Sequence, residues 1–253
     1  MLYHRLLIFL SPFFVFTVFE AILAWPKTIY ALTGLAVLGL GVLARLYRHF
    51  GASGRSWTSV WILAPLYILG LSAFSAVFAR TAFLHACFII SAFFMYFFLL
   101  SLFRLDREEK KSSLLSLNNT ANFAAFAIVF FFSSAIYGLV TWLRWPHWPL
   151  VLVMLSVMIV LTYILAQLFS VYRREYMAIF LIGILSLGEI FMVMFYLPLE
   201  NFLLGYIFAV FYYIFFGLAR IHLLTGENRK IARYYLGFGL GSIAVVLLTA
   251  RWY

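Results

Sequence analysis

Apolar runs of about 20 residues, separated by short polar breaks, recur from one end of this chain to the other. At 1.5 Å of rise per residue, each run as a helix crosses a hydrocarbon core of ~30 Å. Stretches such as 151–165 are apolar on every face. That pattern excludes a membrane barrel, whose ~10-residue strands alternate apolar and polar positions. The expected fold is all-α, a polytopic transmembrane bundle of about nine spans: 6–25, 28–44, 57–79, 81–103, 120–142, 149–170, 177–197, 202–219 and 234–250. The tightest joints are Trp25-Pro26-Lys27 and the single residue Arg80. Each flanking run is long enough to span alone, so both pairs are read as separate spans. No linker interrupts the pattern, and residues 1–253 are expected to form one integral membrane domain.

Composition agrees: of 253 residues, 66% are hydrophobic, 21% aromatic and only 10% charged, with a mean hydropathy of +1.07. A water-soluble domain of this length has too much surface to hide so many apolar side chains. Charge then orients the spans, because Lys and Arg are retained on the cytoplasmic side of short loops. With the N-terminus inside, fourteen of the eighteen basic residues fall on inner segments, at Arg5, Arg45, Arg48, Arg55, Arg104, Arg107, Lys110, Lys111, Arg173, Arg174, Arg220, Arg229, Lys230 and Arg233. Only Lys27, Arg80, Arg144 and Arg251 fall outside. The reading is N-terminus cytoplasmic, C-terminus outside, in the cell membrane. The net charge of +10 therefore points to anionic lipid headgroups at the cytoplasmic loops as partners, and not to nucleic acid. Trp25, Trp142, Trp145, Trp148 and Trp252 at the outer boundaries fit the interfacial preference of tryptophan.

The first apolar run exceeds the 7–15 residues of a signal-peptide core and carries Glu20, so it is read as a retained span. The single cysteine, Cys87, permits no intrachain disulfide. Small-xxx-small pairs (Ser72 and Ala76, Ser134 and Gly138, Gly237 and Gly241) are expected to pack helices within the chain. Pro65 is expected to kink the third span and to leave the carbonyl of Trp61 without its helical donor.

Candidate chemistry lies with the polar groups that a bilayer makes costly. Glu189 sits near the middle of the seventh span and is expected to face the bundle interior, either as a structural hydrogen-bonding group or as a titrating one. Glu20 lies in the outer half of the first span. His85 begins the fourth span about one turn from Arg80, at a spacing that puts both near the outer boundary. Glu189, Glu20, His85 and Arg80 are thus the candidate binding residues, lining a modest outward-facing polar cavity. The chain has no P-loop, GxSxG, HExxH or GxGxxG motif and no Cys/His cluster, so no cofactor, metal site or catalytic residue is assigned. Asp106, Glu108 and Glu109 are interleaved with Arg107, Lys110 and Lys111 and read as a self-neutralised loop. Two functions remain: a non-enzymatic binding, assembly or transport-like protein, and a membrane enzyme acting on a lipid or lipid-linked substrate through Glu189 or Glu20 with His85. The first is preferred because few polar groups share one membrane level.

Overall fold

The computed structural model describes residues 2–49, 61–108, 111–169, 177–225 and 229–250. Among these it is all-helical, with nine α-helices: α1 (Leu2–Ala24), α2 (Ile29–His49), α3 (Leu63–Val77), α4 (Thr81–Glu108), α5 (Lys111–Leu143), α6 (His147–Leu168), α7 (Met177–Met194), α8 (Asn201–Thr225) and α9 (Arg229–Thr249). Five carry segments long and apolar enough to cross a membrane: Thr81–Leu102, Ser116–Leu143, His147–Leu168, Asn201–Leu223 and Lys230–Thr249. The apolar parts of the other four, Phe9–Ala24, Pro26–Val42, Leu63–Val77 and Ala178–Met194, are shorter.

Both tight joints separate helices. α1 ends at Ala24, and a 3-10 turn over Pro26–Thr28 leads into α2. There the Thr28 hydroxyl donates to the Trp25 carbonyl at 2.7 Å. The proline suits this place, since the first turn of a helix has no use for its missing N–H. At the other joint α3 stops at Val77 and α4 begins at Thr81, with the Arg80 carbonyl accepting from the Leu84 N–H at 3.1 Å.

Two expectations about helix extent change. The polar stretch from Arg104 to Asn119, expected as a loop, is largely helix: α4 runs to Glu108 and α5 resumes at Lys111. Apolarity marks where a span leaves the hydrocarbon, but Arg, Glu, Lys and Leu all favour helix, so the helix continues past that level. The 33 residues of α5 would stretch ~50 Å, well beyond a ~30 Å core. The helix is interrupted just before Pro65: Trp61 is helical, Ile62 is a turn and α3 starts at Leu63, so the proline sits in the first turn of α3, where the Leu66 N–H bonds to the Ile62 carbonyl at 3.2 Å. The expected start of that span at Trp57 lies outside the described residues, as do Arg55, Arg173 and Arg174.

The chain forms two compact units, residues 1–124 and 125–253. In the first, α4 packs along α1, α2 along α3, and α1 beside α2. Phe19 stacks on Phe88 at 5.0 Å between α1 and α4, and Tyr67 on Phe94 at 4.5 Å between α3 and α4. Buried hydroxyls pair across these seams, Thr33 with Ser72 at 2.9 Å and Tyr67 with Ser91 at 2.8 Å. In the second unit α8 packs on α7 and α9, and α6 on α7. The Tyr137 hydroxyl donates to the Phe191 carbonyl at 3.2 Å, and Ser133 donates to the Gly205 carbonyl at 3.2 Å. Such pairs are compatible with a membrane protein, in which packing and hydrogen bonds hold helices together.

Candidate functional site

Glu20 and His85 meet. His85 Nδ1 lies 2.7 Å from Glu20 Oε1, bridging α1 and α4. An ionised carboxylate only accepts, so the ring nitrogen is the donor. The side chains keep 49% (His85) and 29% (Glu20) of their accessible surface, so the pair remains open to a ligand. Its place follows from helix geometry. Glu20 lies four residues before the end of α1 and His85 four after the start of α4. Since α1 and α4 pack along each other, the contact sets them antiparallel.

The same seam opens into a groove of about 410 Å³ lined by Phe9, Pro12, Phe13, Phe16, Ile89, Ala92, Phe93, Tyr96 and Phe97, all of its lining surface apolar. Its volume falls within the ~300–1,000 Å³ typical of ligand pockets. On α1 the groove residues and Glu20 fall at 9, 12, 13, 16 and 20; on α4 His85 and the groove residues fall at 85, 89, 92, 93, 96 and 97. Both series keep the three-and-four spacing of a single helix face. Ala92 is buried and short, forming the floor beside Pro12, while Phe9, Phe13, Phe93 and Phe97 are more than half exposed and form the walls. The Glu–His pair therefore continues both stripes, one helical turn beyond Phe16 and Ile89.

The other candidates do not join this pair. Glu189, expected to face the bundle interior, is exposed on α7 and has no hydrogen bond or ion pair among the described residues. Its neighbours explain the orientation: Leu187 and Gly188 take the packed face, with Gly188 against Leu155 of α6. Consecutive helix residues point 100° apart, so Glu189 turns outward. Arg80 is exposed at the N-terminal end of α4, one turn before His85. Of the four candidates, the described structure brings Glu20 and His85 together, at the end of an apolar groove. Among the described residues, no group of three or more His, Cys, Asp or Glu gathers where a metal ion would bind.

The sequence offered Glu20 with His85 as a possible acid/base pair, but not the groove. The stripe Phe9, Phe13, Phe16 was visible as a helical face; what was missing was the partner helix that turns a face into a seam. The chain matches no family model, no curated protein and no solved structure.

Proposed function

We propose that this chain is a nine-span protein of the cell membrane, N-terminus cytoplasmic and C-terminus outside, whose role is to bind a ligand at the outward ends of α1 and α4. The observation that carries the reading is the Glu20–His85 pair: two polar side chains from helices 65 residues apart in sequence, held at 2.7 Å yet still accessible. With 49% and 29% of their surface accessible, the two side chains can be reached by a ligand. The basic residues favouring one side, and the apolar character of all nine helices, support the membrane topology.

Binding is tested by purifying the protein in mild detergent and weighing it intact by native mass spectrometry. The parent is expected to retain a small-molecule adduct that Glu20→Gln/His85→Asn loses while keeping its helical content and melting temperature. Equal adduct occupancy in both proteins would refute this assignment. A second reading rests on the same pair, since a carboxylate that orients an imidazole is the usual support of a general base. Turnover of added lipids by the purified protein, abolished by His85→Asn, would replace binding with catalysis.

A further inference from the structure

We infer that the groove along α1 and α4 holds one acyl chain of a membrane aminolipid, with the lipid's ammonium group hydrogen-bonded at Glu20 and His85. The inference rests on the binding role proposed for that pair and names its ligand. Three observations carry it. The first is the lining, which offers no polar surface and so suits hydrocarbon alone along its length.

The second is length and register. From Phe9 to Glu20 is eleven residues, and from His85 to Phe97 twelve, or roughly 16–18 Å of helix at 1.5 Å per residue. That is about half of a ~30 Å core. The polar pair stands at the end nearer the Ala24 and Thr81 helix ends, on the side of the headgroups of the outer leaflet, and the groove runs from it through the middle of both spans. Two independent helices keep this order, apolar groove then polar cap, on one face each.

The third is the chemistry of the cap. Glu20 Oε1 is bonded to His85 Nδ1, and an ionised carboxylate keeps a second oxygen as an acceptor. A primary ammonium, with three N–H donors and a positive charge, complements it; the quaternary ammonium of a choline lipid has no N–H to give.

The test uses the full-length protein in nanodiscs with phosphatidylethanolamine or phosphatidylcholine carrying the same diazirine-labelled acyl chain. After irradiation, adducts are mapped by peptide mass spectrometry. Adducts are expected to concentrate several-fold on segments 9–16 and 89–97 relative to the exposed apolar face of α9, where Phe238 and Leu248 are 76% and 85% exposed. They are also expected to be more abundant with the ethanolamine lipid. Ala92→Phe, which fills the floor, and Ile89→Trp, which narrows the groove from an exposed wall position, should each bring labelling down to the α9 level. Glu20→Gln should abolish the ethanolamine preference while leaving acyl labelling in place. Uniform labelling of all exposed helices overturns the groove as a lipid site, and seam labelling that ignores headgroup and Glu20→Gln alike overturns the ammonium assignment. Failure of the parent binding reading is seen separately, as an adduct retained by the double variant in native mass spectrometry.

Discussion

Arg144 holds a backbone φ of 52°, the one positive value at a non-glycine position among the described residues. It follows the last residue of α5 and donates its N–H to the Val140 carbonyl at 3.0 Å, the left-handed position at which most helices place glycine. A side chain there costs roughly 1–2 kcal/mol. Arg144→Gly is therefore expected to raise stability by about 1 kcal/mol, measured by denaturant titration in detergent, with Arg144→Ala giving no gain. Gly205 shows the opposite constraint. A Cβ there would collide with the Ser134 hydroxyl and lie 2.8 Å from the Ser134 backbone nitrogen, and a helix backbone cannot yield as a flexible side chain does. Gly205→Ala is expected to destabilise by about 1–3 kcal/mol, the range for overpacking; Ser134→Gly should relieve only part of this, because the backbone contact remains. Glu189 is exposed on α7, so Glu189→Gln is expected to change stability by no more than about 0.5 kcal/mol. A larger loss in the same titration would reveal a partner for this carboxylate.

Among the elements, the helices that sequence marks as apolar all form, but which face each one buries depends on its neighbours. On α9 the GxxxG of Gly237 and Gly241 was expected to pack within the chain, yet a Cβ at either glycine meets nothing within 4 Å. Gly239, midway between them and 200° around the helix, takes that part against Ile214 of α8. The seam is completed where Tyr235 covers Gly217 and stacks on Tyr213 at 5.2 Å. Gly239→Leu is thus expected to disrupt the α8–α9 seam and lower the melting temperature, whereas Gly237→Leu and Gly241→Leu should leave it unchanged; equal effects at all three would reject this orientation. Ser134 and Gly138 are both buried, with Ser134 against Gly205, while of the Ser72 and Ala76 pair only Ser72 packs, bonded to Thr33, and Ala76 is exposed. One sequence pattern therefore serves two orientations, because spacing fixes which residues share a face and says nothing of what the face meets.

At the scale of the whole molecule, the partition of fourteen basic residues against four carries the proposed topology. Single cysteines at positions 53, 113 and 147, introduced into a Cys87→Ser protein and probed with an impermeant thiol reagent on intact cells, check it. Labelling is expected only at the His147 position, and outside labelling at either of the others would reverse or break the nine-span order. The helical, apolar, membrane-adapted character of the chain was determined by sequence alone, because runs of unbroken hydrophobicity leave the backbone one way to satisfy its hydrogen bonds in lipid. The two shortest breaks were also legible, since a proline and a charged residue at a run's edge punctuate a helix locally. Tertiary structure decided the rest. Glu20 and His85 are 65 residues apart and become a pair only when α1 and α4 pack antiparallel. Phe9, Pro12 and Phe16 become a groove only when Ala92 supplies a floor, and Glu189 faces outward because Leu187 and Gly188 take the packed side of α7. Hydrophobicity is a property of each residue and can be summed along a chain, whereas a site is a coincidence of helix faces, fixed by packing between segments distant in sequence.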